Sequence, residues 1–303
     1  MSFKVLQTGF LTTVQDLGRF GYKKYGLNQS GAMDIQAFCW GNYLLDNKPN
    51  CASLEITLSG CQLLATKETS IVLTGANHNF CINQKPQPLW QIIKIHLGDI
   101  LSWNKITNGV RAYLAVKGGI QTKVYFGSRS VNIREQIGKK ISRGQRINYI
   151  ENQQDLAFRQ VPFRFIPKYQ NSINLRLISG FQFNKFSQKL VENFFSENWL
   201  ISNACDRSGC RLEGNLVAMD KHTMISEGTS VGSVQITSAG QPIILLNDAP
   251  TIGGYYKIAT VFSLDLAKLA QAMPGTKVTF SLIEIETAQQ ERLQFNEFFN
   301  IND

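Results

Sequence analysis

Short runs in which apolar and polar residues alternate one for one, bounded by Gly, Asn and Ser, dominate this chain. A period of two places alternate side chains on opposite faces of a strand and is incompatible with an amphipathic helix over the same residues. Leu54, Ile56 and Leu58 alternate with Glu55 and Thr57, and the pattern continues at 71–73, 92–95, 100–103 and 110–116. It returns after residue 170 at 175–178, 231–236, 243–246, 255–262 and 278–285. Helical periodicity is rarer. It is expected at 34–45, at 187–195, at 264–273 with Ser263 as N-cap and Pro274-Gly275 as stop, and at 288–298.

The expected fold class is therefore mainly β with a few helices. With 303 residues and 43% apolar content the chain has material for two cores. Residues 151–172 break the strand rhythm with a polar run and two prolines, Pro162 and Pro167. The expected division is an N-terminal domain over 1–155, a connector over 156–172 and a C-terminal domain with a terminal helix over 173–303. Faint echoes between the halves, such as Ile56-Thr57-Leu58-Ser59-Gly60 and Ile236-Thr237-Ser238-Ala239-Gly240, favour two similar β barrels over one large sandwich.

Several function classes are set aside. Uninterrupted apolar runs fall far short of the roughly 18 residues of a membrane span, and no signal peptide is expected in residues 1–15. Six scattered cysteines without a framework rhythm suggest reduced thiols in a cytoplasmic protein. The net charge of +9 looks at first like a nucleic-acid footprint. The excess is local, however: residues 105–146 hold ten basic side chains and one acid, Glu135. No recognition helix or stacking motif accompanies them, so an acidic partner subunit or anionic ligand, or else a solvated rim, is expected rather than nucleic acid.

Common catalytic motifs are missing. Gly138-Lys139-Lys140 lacks the rest of a phosphate loop, and three histidines (78, 96, 222) offer little for metal or acid–base chemistry. His78-Asn79-Phe80-Cys81 has two ligand types without a second pair, so no metal site is expected. What remains are Gly-rich segments carrying charged or amide side chains. Asp16 and Arg19 lie in Thr12-Thr13-Val14-Gln15-Asp16-Leu17-Gly18-Arg19, as part of a ligand-wrapping loop or of a turn ion pair. Ser30-Gly31-Ala32-Met33-Asp34 enters the first helix, where free amides suit an anion and Asp34 suits an N-cap. Gln241-Pro242-Ile243-Ile244-Leu245-Leu246-Asn247-Asp248 reads as a buried strand ending in an amide and an acid, followed by Gly253-Gly254-Tyr255.

Together these segments resemble the allophanate hydrolase subunit 2 family, also called the carboxyltransferase-domain family or that of the 5-oxoprolinase C subunit. The matching stretches are TTVQDLGRFGY (12–22), SGAMD (30–34), ASLEITLSG (52–60), LTGA (73–76), RAYLAVKGGI (111–120), GSRS (127–130), DRSGCRLEG (206–214), GSVQ (232–235), GQPIILLNDAPTIGGY (240–255) and AQAMPG (270–275). They occur in the family's order over nearly the whole chain. Departures fall in loops: Leu27-Asn28-Gln29 and Tyr256 stand where prolines are usual, and Ser208 and Cys210 where Met and Tyr flank the family's glycine.

The resemblance implies two cyclophilin-like β barrels working with two other proteins, a B subunit of the carboxyltransferase subunit 1 type and an A subunit. That assembly is an ATP-dependent 5-oxoprolinase, which opens 5-oxo-L-proline to L-glutamate and would leave this chain inactive alone. ATP with magnesium is then a requirement of the complex. A urea carboxylase-like carboxyltransferase, with biotin, is the alternative, and a regulatory protein antagonising a histidine-kinase inhibitor is another. A free-standing chain without a biotin-attachment motif suits the oxoprolinase. Lactam opening needs a cation for phosphate and donors for a developing oxyanion. Arg19 and Arg207 suit the first role, and Gln235 and the amides of Gly253 and Gly254 the second. Asp16 and Asp248 suit orientation of the substrate or of a metal-bound phosphate, with Gly31, Ala32, Met33, Asp34 and Tyr255 as further binding residues.

Overall fold

The computed structural model describes residues 1–104, 106–150, 156–215 and 224–301. Residues 151–155 of the expected boundary, Lys105 and His222 lie outside the described residues. The chain forms two compact units that are not contiguous in sequence. The first is Met1–Phe20, Ser30–Tyr169 and Glu297–Asp303; the second is Gly21–Gln29 and Gln170–Asn296. Two short segments, one early and one late, thus belong with the other half of the sequence.

The first unit is built from two sheets. Seven strands run in the order Ile120–Gln121, Arg146–Tyr149, Ser2–Thr8, Cys61–Ala65, Ile100–Trp103, Phe80–Ile82 and Lys85–Pro86. Five more run in the order Leu11–Gln15, Ser53–Thr57, Asn108–Val116, Thr69–Asn77 and Ile92–Ile95. One continuous core, including Phe3, Leu54, Ile56, Leu63, Leu101, Trp103 and Leu114, fills the space between them. Each such buried side chain contributes about 1.5–3 kcal/mol.

Two barrels were expected, and the first unit differs. Its smaller sheet ends in strands whose outer edges pair with loops rather than with the larger sheet. Val131 N donates to Val14 O, Ile141 N to Thr12 O, and Ile92 N to Arg159 O. The backbone groups are satisfied without closure.

Alternation also fails where a helix covers the outer face of the smaller sheet. Helix Ile35–Leu44 starts at the N-cap Asp34, whose carboxylate accepts from Ala37 N at 2.9 Å. It packs on Thr69–Asn77 and Asn108–Val116, and Thr74 Oγ1 donates to the Ala37 carbonyl at 2.6 Å. Gly41 allows the approach, since a Cβ there would lie 3.0 Å from Ala115 Cβ. Phe38 meets Tyr113 edge-on. Residues 110–116 are consequently buried on both faces.

The second unit contains the closed barrel. Its seven strands run Ser172–Ser179, Lys257–Val261, Ser233–Ile236, Pro242–Leu245, Gly209–Glu213, Trp199–Cys205 and Lys277–Leu282, and the last returns to the first in parallel. Closure leaves no open edge. Ser187 caps helix Gln188–Ser196, which buries Leu190 and Phe194, the latter stacked on Phe280 at 4.7 Å. Helix Leu266–Ala270 is shorter than expected, and Ser263 is not its N-cap. Asp265 holds that position, but its carboxylate accepts from Arg176 and pairs with Lys268 Nζ, and takes no backbone N–H of the helix. The last strand stops at Leu282, and helix Ile285–Phe298 follows.

The basic segment divides. Arg111 lies 3.8 Å from Glu55, Lys117 Nζ donates to the Leu45 carbonyl at 2.7 Å, and Arg129 bonds Gln121. Lys123, Arg134, Lys139, Lys140, Arg143 and Arg146 are exposed. Lys4 and Arg146 are direct cross-strand partners, like charges side by side.

His78 is fully buried in the first unit, and burial holds its ring at a pKa of about 4. An unfolded histidine titrates near 6.5. Between these values the unfolded chain binds a proton that the folded chain refuses, so stability falls as pH drops from 6.5 to 4. The expected loss is at most about 3 kcal/mol. Urea melts of the protein and of His78→Phe at pH 7 and pH 4.5 check it: the substitution should flatten the pH dependence.

Candidate functional site

The first unit gathers Asp16, Arg19 and the segment entering the helix. Asp16 follows strand Leu11–Gln15 and is buried. One carboxylate oxygen accepts from Ser128 Oγ at 2.6 Å, Ser130 Oγ at 2.5 Å and Gly18 N at 2.9 Å; the other accepts from Arg129 N at 2.6 Å. Arg19, also buried, donates to the Ser130 carbonyl. Asp16 thus holds two loops, 16–19 and 128–130, together. Gly31 is required nearby: its φ is +95°, and a Cβ would lie 2.9 Å from the Leu17 carbonyl.

The amides at the helix entry have partners. Ala32 N donates to Asp16 O at 2.9 Å, Met33 N to Glu55 Oε2 at 3.0 Å, and Asp34 N to Tyr113 Oη at 2.8 Å. The anion expected at this helix start is therefore the chain's own Glu55. Tyr113 donates to the same Glu55 oxygen at 2.7 Å, and Tyr169 donates to Asp34 at 3.3 Å. Burial, then the charges of Glu55 and Asp34, push the Tyr113 phenol well above its ordinary range, so it remains a donor. Burial and Asp34 act likewise on Tyr169.

Glu55 was not singled out from the sequence. It occupies the polar phase of the 54–58 alternation, which reads as a wet face but lies beneath the helix. The available signal was Tyr113, its direct partner across the strand pair.

The second unit brings Arg207 to Asp248 across 41 residues of sequence. Arg207 sits in the turn between Trp199–Cys205 and Gly209–Glu213, next to Pro242–Leu245, and Asp248 follows the latter strand. The pairing is bidentate: Nε donates to one carboxylate oxygen at 2.8 Å and Nη2 to the other at 3.2 Å. Asp248 N also donates to Arg207 O at 2.8 Å, and Asn28 Nδ2 donates to Asp248 O at 3.2 Å. Both charged side chains are over nine-tenths buried. Such a planar fork is fixed in orientation.

Gln235 is 5% exposed, and its Nε2 has no acceptor among the described residues. Gly253 lies against it: a Cβ there would come within 2.6 Å of that nitrogen. A buried donor without an acceptor costs about 1–3 kcal/mol. Gly253 pairs with Glu227 in a two-stranded ribbon, Glu227–Gly228 with Ile252–Gly253. Tyr255 is exposed.

Three residues missed in the sequence complete this cluster. Lys257, the cross-strand partner of Gln235, makes an ion pair with Glu227 and donates to Gly228 O at 3.2 Å. Gln182 accepts from Lys257 N at 2.7 Å and donates to Glu227 at 2.7 Å. The available signal was a lysine in step with Ala259 and Val261 in an otherwise uncharged strand. A cavity of about 320 Å³ lies beside Gln182 and Lys257, lined also by Phe181, Gly228, Thr229 and Ser233 and not by Gln235 or Gly253.

Among the described residues, no group of three or more His, Cys, Asp or Glu is placed to hold a metal ion. His78 and Cys81 are buried core residues. No helix among the described residues is long and apolar enough to cross a membrane.

Comparison with known proteins follows the same lines. The family described as carboxyltransferase domain, subdomain A and B, matches residues 25–282. The 5-oxoprolinase C subunit of Escherichia coli is 31% identical over 98% of this chain and 96% of its own length. That of Haemophilus influenzae is 30% identical over 95% of this chain and 93% of its own length. The solved urea carboxylase of Kluyveromyces lactis superposes with a TM-score of 0.90 and 27% identity over 98% of this chain, which spans 29% of that larger protein.

Proposed function

Since this chain belongs to the carboxyltransferase-domain family, we propose that it acts as the C subunit of an ATP-dependent 5-oxoprolinase, with the A and B subunits, and opens 5-oxo-L-proline to L-glutamate. The observation that carries this reading is the unpartnered Gln235 amide beside Gly253, in the unit that holds the buried Arg207–Asp248 fork. The similarity to two C-subunit proteins, 30% and 31% identical over 95% and 98% of this chain, supports it.

Gln235 Nε2 donates to the lactam oxygen as negative charge builds on it, and Gly253 keeps the space that a side chain would fill. Asp248 holds the Arg207 guanidinium in one orientation, so a cationic donor is in place without reorganisation. Lys257 and Glu227 position the ribbon that carries Gly253. Asp16 is a positioning residue for the Arg19 loop. ATP would supply a phosphoryl group that activates the amide carbonyl toward water, so that the ring C–N bond breaks and its nitrogen leaves as the glutamate amine, with phosphate released on hydrolysis of the resulting acyl phosphate. The residues at the helix start do not fit its phosphates, because the amides of 32–34 are occupied by Asp16, Glu55 and Tyr113. No step is therefore assigned to ATP on this chain.

The likeness to urea carboxylase favours a second reading, carboxyl transfer from biotin to an amide nitrogen by the same donors. Co-purification with a homologue of the B subunit, then addition of the A subunit, separates the readings. ATP-dependent release of glutamate from 5-oxoproline is the expected result. Urea-dependent consumption of carboxybiotin instead would establish the second reading. A stable complex with neither activity would overturn both and leave a regulatory binding role.

A further inference from the structure

Cys205 and Cys210 close the hairpin whose turn carries Arg207. They are direct partners across the Trp199–Cys205 and Gly209–Glu213 pair. The turn between them is tight. Asp206 N donates to Gly209 O at 3.0 Å, and the Asp206 carboxylate accepts from the amides of Ser208 at 2.7 Å and Gly209 at 3.1 Å. With Asp206 bonded to Gly209, the next pair outward is of the non-hydrogen-bonded kind. Opposite Cα atoms there are about 4.5 Å apart, and both side chains share one face. A disulfide accommodates Cα separations of about 4.4–6.8 Å, so the bond can form without remaking the backbone.

Neither thiol is in a disulfide; Cys210 is fully buried and Cys205 half-buried. The access is therefore asymmetric: Cys205 is the more exposed of the two, and Cys210 is fully covered. The remaining cysteines are poor competitors. Burial pushes the Cys61 thiol up to about 12 and raises that of Cys51, while Cys39 and Cys81 are buried. Among the described strand pairs, 205–210 is where two cysteines face each other.

We propose that Cys205 and Cys210 form a dithiol modification site that low-molecular-weight disulfides such as glutathione disulfide oxidise to an intramolecular disulfide. The Cys205 thiolate attacks one sulfur of glutathione disulfide, forms a mixed disulfide and expels the first glutathione thiolate. The Cys210 thiolate then attacks Cys205 Sγ and expels the second. The two protons lost by the cysteines end on the two glutathiones; the cysteine pair loses two electrons and glutathione disulfide gains them. The new bond clamps the turn two residues before Arg207 and three residues after it. This chemistry stands independently of the reaction proposed above.

The test treats the native protein with glutathione disulfide, alkylates it under denaturing conditions and digests it with trypsin. Cleavage after Lys189, Arg207 and Arg211 places the two cysteines on separate peptides, 190–207 and 208–211. The expected product is those two peptides joined, in a protein lighter by two hydrogens and with two fewer alkylated thiols, reversed by dithiothreitol. Cys205→Ser and Cys210→Ala should each abolish the linked product. Six thiols still alkylated, glutathione retained on Cys205 alone, or a link to another cysteine would overturn the proposal. The linked peptide is read on the unsubstituted protein, so the result holds even if one variant fails to fold.

Discussion

Arg207→Ala should destabilise the protein by about 3–5 kcal/mol, because it leaves the Asp248 carboxylate buried without its counter-charge. It should also lower ATP-dependent glutamate release by the assembled enzyme by about 10²–10³-fold, the usual loss for one fixed donor to a developing oxyanion. Asp248→Ala should act in the same direction, since the guanidinium would be left buried and unaligned. The two effects separate in a third variant. Arg207→Met with Asp248→Leu replaces the fork by apolar groups of similar size, and such swaps are often neutral for stability. Urea melts should therefore recover while turnover stays low. Recovery of both would reduce the fork to a structural pair and remove it from the reaction.

Glu55→Ala carries the second large effect, in the first unit. It removes the acceptor for Met33 N and the Tyr113 hydroxyl, and the carboxylate 3.8 Å from Arg111, all in a region closed to water. The expected cost is about 3–5 kcal/mol, read as a lower urea midpoint with an unchanged slope. The vacated place is a helix start with a cation beside it, which favours small anions. Acetate added to Glu55→Ala should raise its melting temperature, and should leave the unsubstituted protein unmoved. No response in the variant would mean that Glu55 acts by filling volume, not by its charge.

What could be read from the sequence follows the range of the interactions. The strands at 92–95 and 100–103 were legible to the residue, because alternation and turn residues are local signals. Asp34 was legible as an N-cap for the same reason, whereas Ser187, expected inside its helix, turns out to cap it. Ser263 misled because Asp265 two residues later is held by Arg176, a residue 89 positions away. Glu55 and Lys257 were passed over on similar grounds. Each is a charged residue in a strand, and what buries it is an element brought in from elsewhere in the chain. The Gly253–Gly254 segment was marked for its flexibility. Its structural reason, a glutamine nitrogen occupying the place of a Cβ, is visible only with the barrel closed.

The exchange of segments between the two units bears on how the protein is made. Trp40 and Tyr43 pack against Phe298 and Phe299, which belong to the first unit but are encoded after all of the second. A ribosome adds about 5–20 residues per second. The first unit therefore waits, for about 6–25 seconds on that scale, while residues 170–296 emerge before it can cover its own aromatic cluster. Throughout that interval Phe165 can lie against Trp40, but both Trp40 and Tyr43 lack Phe298 and Phe299, and the part left bare is a surface of the kind that chaperones bind. Synthesis order and folding order thus run against each other in this protein.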